Sequence, residues 1–333
     1  MLALLQAYRG LAALLVVLYH AEGAVNEFFA SPTSLFHFGF AGVQFFFVLS
    51  GYIIYHVHHG DIGTGKVLPY ARKRLVRIYP IYIFTTLLLA PFWLWVPSLG
   101  EPFHKDVDAL LLSLALIPQD HPPHLGVAWT LIHEMLFYIV FGILILNRRI
   151  GWWAVAAWLA AVAIANLLGE PVGRSSYLLS VNNLLFGLGM LAAWLPKRVV
   201  GTALGLFVIG NIGFLTAGVL TNYGMDVPIL AFGLAAFLLV MSAEPLNFLF
   251  RERRALLFLG DASYSIYLIH YPVISVACKA LLAAGISFAA MPIVAVLGIL
   301  GGIILHLTIE RPVLRFFGRR APGARHARTE PAG

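Results

Sequence analysis

Apolar runs of about twenty residues follow one another along nearly the whole chain, separated by short polar, basic or Gly/Pro-containing segments. A helix needs ~20 residues to cross a hydrocarbon core about 30 Å thick. Ten runs meet that length, at roughly 8–27, 40–58, 79–97, 127–147, 151–168, 178–195, 200–220, 227–243, 261–284 and 288–311. The pattern predicts an all-α fold, a polytopic integral membrane protein with about ten transmembrane helices. The longest connection between predicted spans, 98–126, contains a predicted short helix over 105–117, followed by Pro118, Pro122 and Pro123. Two readings of it stay open, a plain connector or part of a substrate mouth.

Composition agrees with the pattern. The chain is 60% hydrophobic and 11% charged, against about 25% charged in a soluble domain. One membrane domain is expected over 1–317, followed by a basic Pro/Ala/Gly-rich tail, 318–333, that is expected to be disordered. The first apolar run ends without a small-residue cleavage pattern and is expected to stay as the first span. With the N-terminus inside, 19 of the 22 Lys and Arg fall in inside segments. The positive-inside rule then predicts that both termini are cytoplasmic. This placement accounts for the net charge of +7 without a nucleic-acid partner. The single cysteine, Cys278, excludes an internal disulfide and a cysteine metal cluster.

Polar residues inside the apolar runs carry the candidate chemistry. Arg9 and His20 are eleven residues apart, which on an α-helix is about 1,100° of rotation and ~16 Å of rise, so they share one face. With Arg9 at the surface, His20 sits near the midplane, where a polar group marks a functional site by default. A packing histidine and an anchoring arginine are the bland alternative. In the fourth run, Glu134 lies ~20 Å from the cytoplasmic end of its span, and His20 lies ~18 Å from the same surface. A buried carboxylate needs a partner and a proton-accepting histidine needs an orienting carboxylate, so the two are expected to pair. The alternative is an ion pair of Glu134 with another group such as His133. Gln44, Ser50 and Tyr52 are the polar groups of the second run, whose Gly42, Ser50 and Gly51 read as helix packing. Trp129 and Tyr138 flank Glu134. Asn182 and Asn183 are set to bond across helices. Asp261 and Ser263 can cap the ninth helix, and His270 lies deep in it beside Pro272. His306 and Glu310 share a face at i,i+4, for a structural or a functional role. Two such ligands are too few for a metal site, and none is predicted.

The segment 59–78 ends in Arg72, Lys73, Arg74 and Arg77, just before Pro80, which is read as opening the third span. This density suits a polyphosphate ligand, since arginine binds phosphate bidentately. Membrane lipid headgroups and topology alone are the other readings.

Taken together, the segments Arg9-Gly10…His20, Gly42-Val-Gln-Phe-Phe-Phe-Val-Leu-Ser-Gly51-Tyr52, Arg74…Arg77-Ile-Tyr-Pro80, Trp129-Thr-Leu…Glu134…Phe137-Tyr138, Gly260-Asp-Ala-Ser-Tyr-Ser-Ile-Tyr-Leu…His270…Pro272 and Glu310-Arg-Pro312 resemble acyltransferase family 3. These are integral-membrane acyltransferases that modify sugars of surface polysaccharides. The compact length and the Trp-Thr-Leu…Glu-Met-Leu-Phe-Tyr form are most similar to the exopolysaccharide-production (ExoZ-type) branch. The resemblance implies an O-acetyltransferase of the bacterial inner membrane. It implies acyl-CoA, usually acetyl-CoA, as the donor, and a carbohydrate or lipid-linked oligosaccharide hydroxyl as the acceptor, with polysaccharide-assembly proteins as further partners. It assigns catalysis to His20 and donor binding to Arg9 and the basic segment with Arg72, Arg74 and Arg77. On the residues alone, Glu134 is then the expected catalytic partner, with Ser50, Tyr52, Trp129, Tyr138, Asn182 and His270 as substrate or structural support. The presence of His133 before Glu134 departs from many members and leaves the partner of His20 open. A solute transporter and a scaffolding subunit of an export complex are the rival classes. The absence of internal repeats disfavours the first.

Overall fold

The computed structural model describes residues 2–30, 33–95, 100–169, 171–196 and 199–319. Among these, all regular structure is helical. In chain order the helices are α1 (Ala3–Phe29), α2 (Ala41–His58), α3 (Val67–Trp95), α4 (Val107–Leu114), α5 (Trp129–Leu146), α6 (Arg148–Leu168), α7 (Ser175–Leu179), α8 (Asn182–Trp194), α9 (Val200–Asn222), α10 (Ile229–Ser242), α11 (Arg254–Ala283), α12 (Ala290–Leu305) and α13 (Arg311–Arg319). A π-helical turn, His306–Glu310, joins α12 to α13. The expected tail therefore begins as helix, and its residues 320–333 lie outside the described ones.

Nine segments among the described residues are long and apolar enough to cross a membrane, with α7 and α8 counted as one. The eighth predicted span is α10, whose 14 residues rise only about 21 Å. Its crossing is required by the direction of α11. The Gln6 side chain bonds to Asp261, Gly10 meets Gly260, and the His20 ring lies on His270. From the Gly10–Gly260 contact to the His20–His270 contact ten residues pass on each helix, so α1 and α11 run parallel. An even number of crossings must then be complete before α11 begins, and α10 makes that number eight.

Two helix seams depend on missing side chains. A Cβ at Gly260 would overlap the Gln6 carbonyl oxygen, which fixes the α1–α11 contact. A Cβ at Gly51 would overlap the Phe186 carbonyl, and one at Gly189 the Val48 carbonyl, which fixes α2 on α8. Close approach of this kind is how small residues bind helices in a membrane. It agrees with the packing role expected of Gly51.

The third span differs from its expected form. The basic residues 72–77 are not in a loop, because α3 starts at Val67 and carries them on its first turns. Pro69 in the first turn is the start signal, since a proline there loses no helical hydrogen bond. Pro80 and Pro91 lie inside the helix, which membrane helices tolerate where neighbours satisfy the freed backbone groups. Beyond α3, the predicted short helix is present as α4. Tyr79 and Tyr82 fasten its end to α3 by donating to the Ala115 and Ser113 carbonyls at 3.0 and 2.6 Å. Between α7 and α8 the helix is broken, and Asn183 Nδ2 donates to the Tyr177 and Leu178 carbonyls there.

Candidate active site

A cavity of about 860 Å³ opens among α1, α2, α3, α5 and α11. One end is cationic, lined by Arg9, Lys73, Arg74 and Arg77. Deeper, Glu134, Thr130, Tyr267 and Phe46 line it. A second cavity of about 690 Å³ shares Arg9 and Arg77 with the first and adds Asp261, Arg311 and Arg315. The helical start of α3 is what builds the cationic end. Over one helical turn, Lys73, Arg74 and Arg77 fall on the inner face. Arg72 does not line either cavity and is exposed.

The three cavity cations of α3 are not equivalent. Arg77 donates to Glu310 Oε1 at 2.6 Å and lies over the Tyr264 ring at 5.3 Å. Glu310 is fully buried, and its second oxygen accepts from Ser265 at 2.7 Å and pairs with His306 Nδ1 at 2.8 Å. Three partners around one carboxylate meet the requirement that a buried charge be paired and hydrogen-bonded. The π turn brings His306 and Glu310 together, so this pair is a structural anchor for Arg77. Arg74 is half-buried, and its buried Nε has no partner among the described residues.

Glu134 is held from α2 and from its own helix. Its Oε1 accepts from Ser50 Oγ at 3.1 Å and from the Tyr138 hydroxyl. Tyr138 is fixed in turn by Tyr70, whose hydroxyl donates to the Tyr138 carbonyl at 3.2 Å. Ser50 thus lines the cavity and holds Glu134 in addition to its place in the helix packing. His133 turns away from Glu134, with Nδ1 3.0 Å from Asn183 Oδ1.

Such a cavity, half cationic and half apolar with a carboxylate at its inner end, is compatible with several membrane enzymes, and comparison with known proteins decides among them. Residues 3–309 match the acyltransferase 3 domain family. The chain belongs to this family. It is 35% identical to the exopolysaccharide production protein ExoZ of Rhizobium meliloti (strain 1021), over 86% of this chain and 94% of that protein. It is 28% identical to the acyltransferase MdmB of Streptomyces mycarofaciens, over 95% of this chain and 92% of that protein. The O-acetyltransferase OatA of Staphylococcus aureus is 25% identical over 71% of this chain and 46% of its own length. No solved structure matches. The protein is a multi-pass membrane O-acyltransferase.

The catalytic candidates of this acyltransferase separate into two groups. His20 is not among the residues lining the cavity. Its ring lies 4.9 Å from that of Tyr19, 5.1 Å from that of His270 and 5.0 Å from that of Tyr271. The expected His20–Glu134 pairing is absent among the described residues. Equal depth fixed only one coordinate. Around the bundle axis, the His20 level of α1 faces α11, whereas α5 packs on α2, α3 and α6. Tyr267 connects the two groups. It lines the cavity, its hydroxyl donates to the Val127 carbonyl at 2.9 Å and contacts Thr130 Oγ1 at 2.9 Å, and its ring lies 5.9 Å from that of His270.

The remaining expected residues are distributed around this frame. Tyr52 lines the cavity and stacks on His56 at 5.5 Å. Trp129 packs edge-on to Phe47 and His133, outside the cavity lining. Among the described residues Asn182 Nδ2 donates to Ser180 Oγ, and its buried Oδ1 has no partner. Sequence reasoning passed over Thr130, Tyr267 and Ser265, whose small or aromatic character carries no charge signal. It also passed over Glu22, near the far end of α1. Glu22 is buried and accepts from the Leu35 and Phe36 amides at 2.7 and 3.0 Å and from Thr33 Oγ1 at 3.1 Å. This carboxylate ties the 33–36 segment over the end of α1. No group of three metal-ligating side chains occurs among the described residues.

Proposed function

We propose that this acyltransferase moves an acetyl group from acetyl-CoA to a hydroxyl of a cell-surface or exopolysaccharide sugar, with its cationic face in the cytoplasm. The observation that carries the reading is the cavity whose Arg9–Lys73–Arg74 mouth continues inward to Glu134 and Tyr267. The mouth suits the phosphates of a CoA ester, because arginine and lysine match phosphate charge and arginine matches its geometry. The deep part suits a long thin pantetheine arm. Arg9 and His20 are ~16 Å apart along α1, a distance an extended arm covers. Orientation follows the positive-inside rule.

In this reading His20 is the general base. One imidazole nitrogen takes the proton of the sugar hydroxyl as its oxygen attacks the thioester carbonyl. The new C–O bond forms, the C–S bond breaks, and the CoA thiolate leaves and is reprotonated from the imidazolium. Arg9, Lys73 and Arg74 hold the donor. Glu134, fixed by Ser50 and Tyr138, faces the arm from the cavity wall. The name of the exopolysaccharide production protein supports a polysaccharide acceptor.

The test uses membranes containing the full-length protein, acetyl-CoA labelled in the acetyl group, and the polysaccharide and glycolipid fractions as acceptor. Label should pass to a carbohydrate, and mass spectrometry of the surface polysaccharide should show acetyl groups that disappear without the protein. His20→Ala should lower transfer by about 10²–10⁴-fold, the worth of a general base. Retention of more than about a tenth of wild-type activity in normally inserted His20→Ala would overturn the assignment.

A further inference from the structure

His270 is fully buried, and its Nδ1 lies 2.8 Å from the Tyr267 carbonyl oxygen and 3.1 Å from that of Ile266. Carbonyl oxygens only accept, so Nδ1 carries the proton. In a neutral imidazole the lone pair is then on Nε2. That nitrogen is buried and has no partner among the described residues. An unpaired buried acceptor is costly and is uncommon in a native fold. The nearest ring able to supply a donor is His20, whose centroid lies 5.1 Å away. No hydrogen bond joins the two rings in this conformation, in which they are tilted by 47°, but their separation is short enough for a rotation of the His20 ring to bring an N–H onto Nε2. Glu134, the other candidate partner for His20, already accepts from Ser50 and Tyr138.

We propose that His270 is the positioning residue of His20: its Nε2 accepts the N–H of the His20 nitrogen that faces away from the acceptor, leaving the other His20 nitrogen unprotonated for the sugar hydroxyl. This rests on the reading of His20 as general base. The bifurcated hydrogen bond that His270 Nδ1–H donates to two carbonyls of its own helix sets the tautomer, and Tyr267, at the end of the cavity, supplies one of those carbonyls. The helix that walls the donor cavity thereby also orients the base. When the hydroxyl proton arrives, the imidazolium of His20 is held by the same N–H···Nε2 bond, and the proton later leaves with the thiolate. No net charge is left on His270.

The experiment compares full-length His270→Gln, His270→Asn and His270→Phe with wild type and His20→Ala in the labelled acetyl transfer assay, varying acetyl-CoA. Glutamine places an acceptor oxygen near the position of Nε2, asparagine keeps a donor near Nδ1 but has nothing at Nε2, and phenylalanine keeps only the ring. Apparent kcat should fall at least about tenfold in His270→Asn and His270→Phe, with KM for acetyl-CoA within about twofold of wild type. His270→Gln should recover much of the loss. A merely structural role would lower the amount of folded protein, read by gel filtration in detergent, and would not separate glutamine from asparagine. Wild-type kcat in His270→Asn, or equal kcat in the glutamine and asparagine variants, or a loss confined to KM, overturns the proposal. If His20→Ala is inactive while His270→Asn turns over normally, this inference fails and the base assignment stands. If His20→Ala stays active, both fail.

Discussion

Arg77 and Glu310 are 233 residues apart in the chain and 2.6 Å apart in the fold. The pair fastens the basic start of α3 to the π turn after α12. It also decides which arginine is free for a ligand. Charge density groups Arg77 with Arg72 and Arg74, yet its guanidinium compensates a carboxylate with no exposure to solvent. Glu310→Ala should strand Arg77, Ser265 and His306 and destabilise the protein. Breaking a buried pair costs about 3–5 kcal/mol, and because Arg77 is about 30% exposed the lower end is expected. Thermal unfolding in detergent measures it. Arg77→Gln should also lose stability, so a loss of activity in that variant alone does not report donor binding.

Donor binding is separable from that anchor. Lys73→Gln with Arg74→Gln should raise KM for acyl-CoA with little change in unfolding temperature, because partly exposed charges contribute little to stability. Arg72→Gln should leave KM near wild type, since Arg72 lies outside both cavity linings. A titration of acyl-CoA against the rate of acetyl transfer distinguishes the three positions.

Glu134 receives two hydrogen bonds on one oxygen. The amide oxygen of Glu134→Gln can accept the same two, so the variant should fold normally while removing the carboxylate from the cavity that Arg9 also lines. Glu134→Ala should instead leave the Ser50 and Tyr138 hydroxyls without an acceptor. Each buried group left unsatisfied costs about 1–3 kcal/mol. A stability difference of that order between the two variants is expected in thermal unfolding. Equal stability would show that Ser50 and Tyr138 find other partners.

The segment between α3 and α5 should respond to acid. Burial pushes the His124 imidazole down to about 4, and it lowers His104 in the same direction. His104 accepts the Glu101 amide on Nδ1 at 2.9 Å, and its Nε2 lies 3.2 Å from the His124 carbonyl, so the neutral form is the one that fits. Unfolded histidines bind protons below about pH 6.5. Between there and the lowered folded values, the unfolded state holds more protons, and stability falls as pH falls. Unfolding temperature should therefore be level above about pH 7 and decline toward pH 5, with a smaller decline in His124→Gln.

Parity of crossings gives the last prediction. With α10 crossing and α1 parallel to α11, α12 returns the chain to the side on which it began. Reporters fused at the two ends should thus give the same answer, and the positive-inside bias predicts the cytoplasmic one. Reporters on opposite sides would show that α10 does not cross.

Much of this was legible along the chain. Apolar run length located the cores of the crossing helices, because a bilayer imposes one length on every crossing helix, but it did not show the basic first turns of α3. The Arg9–His20 spacing and the cationic density of 72–77 single out candidates for the chemistry, since charge in an apolar run is rarely incidental, and the structure puts Arg9, Lys73, Arg74 and Arg77 on one cavity with His20 outside its lining. The sequence also supplies an expected depth, as residues counted from a span end. What a single helix cannot encode is its azimuth against the others. Counting along the helices puts His20 and Glu134 level, but rotation and neighbour order set His20 on His270 and Glu134 on Ser50. The same holds for Arg77, whose partner lies at the other end of the chain, and for Tyr267, an unremarkable aromatic until α11 places it between cavity and histidine. Helix length and amphipathic spacing are local properties of the sequence. Which faces meet is settled by the close-packed seams at Gly10–Gly260 and Gly51–Gly189, and only the assembled bundle has those.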